Sequence, residues 1–266
     1  MMSDATSMQE IMQDMTESAG KLAQIPPGWA QGRAAYGGLV AAIAADAMAN
    51  QLAAPRPIRS FLGNFVAPAP EGELAIKSEI LREGRAVVQT RADILSGDQV
   101  CFAASAAFGD DRPGVEVVPD KAAPMPARDS VPPMQKGLRP LPGFLDNFDI
   151  RWTGGGVPMS GSRDRSTSMW VRHRSDMNAF PIAKIISIAD MPPPVILSHY
   201  DKPARASSMT WSIEFIVPPE LVEGDWFYLD FTLDAAASGY SQQSGSIYSE
   251  NGALVALSRQ CMVYFE

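Results

Sequence analysis

Several polar residues in the C-terminal half stand in settings where chemistry could sit. Asp190 follows the apolar run Ile182 to Ala189 and precedes Pro192-Pro193-Pro194. A carboxylate among so many apolar neighbours has a perturbed pKa and can accept a proton from water. The same position, ahead of prolines suited to a first helical turn, equally fits a helix N-cap. Ser208, Thr210 and Ser212 alternate with Met209, Trp211 and Ile213, which in a strand puts three hydroxyls on one face and bulky apolar groups on the other. That face fits a wet pocket or plain solvent. Gln260 shares a strand face with Leu254, Ala256 and Met262, so its amide points toward an apolar layer and needs a partner there.

Other chemistries lack their residues. His173 and His199 are the only histidines, and neither HExxH nor a cysteine pair occurs, so no metal site is expected. There is no GxSxG, and Gly154-Gly155-Gly156 lacks the lysine and the strand-to-helix setting of a phosphate loop. No cofactor is implied. A net charge of −8 without a Lys/Arg run argues against nucleic acid or an anionic membrane as partner and leaves a small molecule. Cys101 and Cys261 are isolated in apolar runs, as buried thiols of a reducing compartment would be, so the expected location is the cytosol. The first twenty residues lack the basic start and apolar core of an export signal, and no apolar run reaches membrane-spanning length.

These side chains need a scaffold, and its centre is Gly37 to Leu52, GGLVAAIAADAMANQL. It reads as a buried helix, apolar nearly all round and alanine-rich enough for close packing. Gly37 and Gly38 stand at its entrance, where the first amides have no partner in the helix and favour negative charge. They suit either a carbonyl oxygen or close helix–sheet packing. Runs such as Leu74, Ile76 and Ile80 against Glu73, Lys77 and Glu79 then alternate at period two, the pattern of a sheet with one buried face. Gly72, Gly84 and Gly97 mark turns, and Val100 to Phe108 is the last strand of this half.

Residues 110–145 carry many prolines and little periodicity, which predicts an irregular crossing segment. The order of elements then repeats. Phe65 to Pro68 recurs as Phe215 to Pro218, and Gly84 and Gly97 recur as Gly239 and Gly252 at a shared offset, 239 − 84 = 252 − 97 = 155. Phe148 to Trp152 and Ser168 to Arg174 read as strands, Phe180 to Ala189 as a helix, and a short helix to His199 precedes four strands ending at Phe265. Asn251-Gly252 marks a tight hairpin. The expected division is a lead over residues 1–24, one unit over 25–109, the connection, and a second unit over 146–266.

The sequence resembles the acyl-CoA thioesterase II family. Arg33-Ala34-Ala35-Tyr36-Gly37-Gly38 is similar to that family's Arg-x-x-Phe-Gly-Gly helix entry, and Arg82-Glu83-Gly84-Arg85 to its Arg-Asp-Gly turn. Asp190 resembles the family's aspartate after a helical run. Asn251-Gly252-Ala253-Leu254-Val255-Ala256 followed by Gln260 resembles its Asp-Gly-x-Leu-Val-Ala and glutamine. The resemblance implies an α+β tandem hotdog, each half a long helix wrapped by an antiparallel sheet. It also implies hydrolysis of acyl-CoA by water held between Asp190, Ser208 and Gln260. Ser208 stands where threonine is common, and Thr210 or Ser212 takes the role if the register differs by two. Gly37, Gly38 and Thr210 are then candidates to contact substrate, with Arg82 and Arg85 near the CoA phosphates. A hotdog enoyl-CoA hydratase or dehydratase, pairing Asp190 with His199, and a non-catalytic acyl-CoA-binding protein are the alternatives. Fused hotdogs leave the oligomeric state open, with a homo-oligomer favoured.

Overall fold

The computed structural model describes residues 6–118, 124–135 and 141–265. Helix α1 (Met8–Glu17) opens it with a reciprocal cap, in which the Glu10 amide donates to the Ser7 hydroxyl and the Ser7 amide to the Glu10 carboxylate. Its buried Met8, Ile11, Met12 and Met15 recur at helical spacing and make one apolar face. β1 (Leu22–Ile25), the short pair β2 (Ala30–Gln31) and β3 (Ala34–Ala35), and α2 (Gly37–Ala49) follow. The first half closes with β4 (Ile58–Phe65), β5 (Gly72–Glu83), β6 (Val87–Ser96) and β7 (Gln99–Gly109). Because β1 already pairs with β5 from Leu22, the sheet begins inside the stretch expected to be a lead, of which residues 1–5 lie outside the described residues.

The second half runs through β8 (Phe148–Gly155), β9 (Ser166–His173), α3 (Pro181–Ala189), β10 (Arg205–Phe215), β11 (Phe227–Ala237), β12 (Tyr240–Ser249) and β13 (Leu254–Phe265). Apart from β2 and β3, the strands form one antiparallel sheet in the order β1-β5-β6-β7-β4-β10-β13-β12-β11-β9-β8. The seam between halves is β4 against β10, with Asn64 opposite Thr210 and Ser60 opposite Glu214. Phe61, Phe102 and Trp211 meet beneath it, and the Trp211 indole donates to the Ser258 hydroxyl at 2.9 Å, which satisfies its one donor inside the core.

α2 lies on β4 to β7 and packs against α3. Ten of its thirteen residues are buried, as its composition predicts, and its alanines leave room for α3. It ends at Ala49, three residues before the expected Leu52. The connecting segment holds short 3-10 turns at Arg128–Ser130 and Gly143–Asn147, while its residues 119–123 and 136–140 lie outside the described residues. From the second turn Phe144 stacks on Tyr36 at 4.1 Å, and the Tyr36 hydroxyl donates to the Ser187 carbonyl on α3 at 2.5 Å. These two contacts fix the entrance of α2 against the end of α3.

Candidate active site

Asp190 is not an N-cap. It is the C-cap residue of α3, and the 3-10 turn after the prolines, Val195–His199, begins at Pro194 without a side-chain cap. An N-cap carboxylate accepts from the amides two and three residues on. Those residues here are Pro192 and Pro193, which have no N–H. The Asp190 carboxylate turns instead to the entrance of α2, where the Gly38 backbone amide favours its charged form. A Cβ on Gly37 would stand 2.8 Å from Asp190 Oδ2 and 2.9 Å from the Phe65 ring, so glycine is what allows this approach. The Gly37 amide has no backbone or side-chain acceptor among the described residues.

The other carboxylate oxygen meets the sheet. Gln260 on β13, buried as expected, donates from Nε2 to Asp190 Oδ1 at 2.7 Å. Its Oε1 accepts from Gln243 Nε2 on β12 at 2.9 Å, and Gln243 Oε1 accepts from the Val195 amide at 3.0 Å. Part of the Asp190 residue surface is open to solvent, but its carboxyl is enclosed by protein. Burial lifts it from the ordinary carboxylate value to about 7, with the Gln260 and Gly38 amides pulling the other way. Burial, and secondarily the Asp190 charge, push the Tyr36 phenol well up, so it remains a hydrogen-bond donor.

The three hydroxyls of β10 do not share a face. A register shift at Met209 leaves Ser208 opposite Met262, whereas Thr210 is opposite Cys261 and Trp211 opposite Gln260. Opposed residues of an antiparallel pair project to the same side. Ser208 therefore joins Trp211, Gln260 and Met262 on the helix-facing side, and Thr210 and Ser212 project outward. One extra residue reverses the alternation, which even spacing in a sequence cannot reveal. Ser208 is half-buried and Thr210 exposed.

Arg82 and Arg85 are not brought to Asp190. With Arg112 they line a groove of about 230 Å³ at the β5–β6 turn. That turn sits beside the start of β4, whose far end carries Phe65, seven residues or roughly 23 Å along the strand. The histidines are elsewhere too. His199 Nδ1 meets the Ser198 hydroxyl at 3.3 Å, and among the described residues nothing joins it to Asp190 by a hydrogen bond. His173 is buried on Ser187 at 2.8 Å, and burial depresses it to about 3. Among the described residues no group of three or more His, Cys, Asp or Glu could hold a metal ion.

Gln243 escaped the sequence reading because β12 is polar on both faces around it, Ser241-Gln242-Gln243-Ser244. Gln243 is opposite Gln260 only because a register shift between Ile247 and Tyr248 offsets the longer loop at Asn251-Gly252, which no hairpin signal reveals.

A buried carboxylate held by a glutamine amide beside the entrance of a helix that packs on an antiparallel sheet can accept a proton from water. Solved structures supply the fold. A hot dog fold protein from Alicyclobacillus acidocaldarius aligns at 19% identity over 92% of each chain, with a TM-score of 0.81. The tesB protein of Mycobacterium avium subspecies paratuberculosis aligns at 19% identity over 92% of each chain, with a TM-score of 0.73. The acyl-CoA thioesterase II TesB2 of Mycobacterium marinum aligns at 18% identity over 92% of each chain, with a TM-score of 0.71. The fold is thus an α+β hotdog. No curated protein matches the sequence. The family pattern for the acyl-CoA thioesterase N-terminal domain matches residues 25–109, and that for the C-terminal domain matches residues 119–264. The chain belongs to the acyl-CoA thioesterase family and is a thioester hydrolase.

Proposed function

We propose that this chain is a tandem hotdog that hydrolyses fatty acyl-CoA to the free acid and CoA, with Asp190 as the base. The observation that carries the reading is a single enclosed carboxylate poised near neutrality between Gln260 Nε2 and the Gly38 amide. A general base works best with a pKa close to the working pH.

In this reading a water held by Asp190 and the Ser208 hydroxyl attacks the thioester carbonyl carbon and gives its proton to Asp190. The Gly37 amide, without a protein acceptor at the positive end of α2, meets the developing oxyanion. Collapse of the tetrahedral intermediate breaks the C–S bond, and the CoA thiolate takes the proton back from Asp190. A carboxylic acid near 7 is strong enough for this, because an ordinary thiol titrates at about 8.5. Arg82, Arg85 and Arg112, none with an ion-pair partner among the described residues, are available to the phosphates of CoA.

We assign the chain to the cytosol, on its free thiols Cys101 and Cys261. Among the described residues no helix is long and apolar enough to cross a membrane. A homo-oligomer belongs to the same reading. The test is release of free thiol from short, medium and long acyl-CoAs: turnover on at least one chain length is expected. Binding without turnover on all of them would turn the reading into the binding-protein alternative.

A further inference from the structure

We infer that Gln243 is a positioning residue that sets which way the Gln260 amide faces, and through it whether Asp190 is held as a hydrogen-bond acceptor. One donor in this chain of hydrogen bonds cannot reverse. The backbone N–H of Val195 can only donate, so the Gln243 atom 3.0 Å from it must be Oε1. That turns Gln243 Nε2 toward Gln260 at 2.9 Å, which must answer with Oε1, and Gln260 Nε2 is left facing Asp190 Oδ1 at 2.7 Å. Each step is forced by the one before. Both glutamines are buried, at 0% and 3% exposure, so no bulk solvent competes for their donors and acceptors.

The consequence is chemical. An amide side chain is close to symmetrical in shape, and an unanchored Gln260 could present either its NH2 or its carbonyl to Asp190. The NH2 end favours the carboxylate, whereas the carbonyl end requires a protonated acid as its donor. By anchoring the far end of the relay on a backbone amide, Gln243 keeps Gln260 in the orientation that leaves Asp190 able to accept a proton. The other titratable group against Asp190 is the Tyr36 phenol at the α2 entrance, which stays protonated, and no ion pair from α2, α3, β4, β10 or β13 reaches Asp190 among the described residues.

The inference rests on the proposed role of Asp190, but its test does not. The ionisation of Asp190 is read in the substrate-free protein from the carboxyl C=O infrared band that is present in the parent and absent in Asp190→Asn. Gln243→Leu, which removes both ends of the link, is expected to raise the midpoint of that band by about one pH unit, the size of one amide contact with a charge. Gln243→Glu, which can accept from Val195 and from Gln260, should reverse the Gln260 amide and raise the midpoint at least as far. In the same variants kcat on acyl-CoA should fall about fivefold at pH 7 and recover at higher pH, with KM within about threefold of the parent. A midpoint in Gln243→Leu equal to the parent's, in protein whose melting shows it folded, overturns the inference. If Gln243→Leu does not fold, Gln243→Met, which likewise removes both ends of the link and adds no charge, decides in its place. Should Asp190→Asn leave turnover intact while the band still moves, the proposed mechanism falls and the positioning role stands.

Discussion

The Asp190 carboxylate, on the C-cap residue of one helix, faces the uncapped N-terminus of the other, so close that a Cβ on Gly37 would stand 2.8 Å from its Oδ2. The N-terminus of α2 offers partial positive charge, and its own flanking residue, Tyr36, makes no side-chain cap. The site thus draws on both halves of the chain.

This placement works against stability. Below about pH 4, near the ordinary carboxylate value, Asp190 is protonated in both folded and unfolded chains and imposes no penalty. Between that value and about 7 the unfolded chain ionises freely while the folded one resists, so folding stability falls as pH rises and then levels off. The penalty is at most on the order of 4 kcal/mol, because a carboxyl lifted from about 4 to about 7 resists ionisation by roughly 1.4 kcal/mol for each pH unit. Asp190→Asn should therefore melt several degrees above the parent at pH 8, and the gain should vanish toward pH 4. A gain independent of pH would show that the carboxyl is not held up by burial. Asp46 on α2, lifted by burial to about 6 and hydrogen-bonded to Asn50, titrates in both proteins and cancels from the difference.

Gly37 should tolerate no side chain. A methyl at this position would lie 2.8 Å from Asp190 Oδ2 and 2.9 Å from the Phe65 ring, so one of the two must move. Gly37→Ala is expected to cost about 1–3 kcal/mol, as overpacking does, and to lower kcat at least tenfold. Normal turnover in a folded Gly37→Ala protein would remove Asp190 from the reaction geometry.

Of the β10 hydroxyls, Ser208 alone shares the face of Gln260. Ser208→Ala should lower kcat about tenfold to a hundredfold, the scale of one lost hydrogen bond that orients the attacking water. Thr210→Ala and Ser212→Ala should stay within twofold. Equal losses for all three would contradict the bulge at Met209.

The arginine groove makes a separable claim. Replacing Arg82 and Arg85 by alanine should raise KM for acyl-CoA roughly threefold to tenfold without changing kcat, the size of one or two solvent-exposed phosphate contacts. Acyl-pantetheine, which lacks the phosphates, should be unaffected. A loss of kcat on both thioesters would mean that the turn supports the fold instead.

Much of the scaffold was legible because period-two alternation and an alanine-rich helix leave strong local signals. The glycine offset of 155 likewise aligned the two β-hairpins, although Gly84 bonds across to Val87 while Ser238 and Gly239 turn with positive φ. Asp190 and Gln260 stood out because a polar residue in an apolar setting has few innocuous explanations. What stayed hidden depended on hydrogen-bond register or on distant partners. The bulge at Met209 reverses the face of Ser208 without changing a residue. The approach of Asp190 to Gly37 joins positions 153 residues apart (190 − 37). β1 was missed because four residues, Leu22–Ile25, are too few to show a period.

The most direct test of the whole account is the pH–rate profile of thiol release by the parent and by Asp190→Asn on the best acyl-CoA. The parent's kcat should rise with pH through a midpoint near 7, where the enclosed carboxylate ionises. In Asp190→Asn, kcat should drop at least about a hundredfold and lose that limb, with KM little changed. A variant that keeps the parent's rate and the same limb would contradict the assignment of Asp190 as the base.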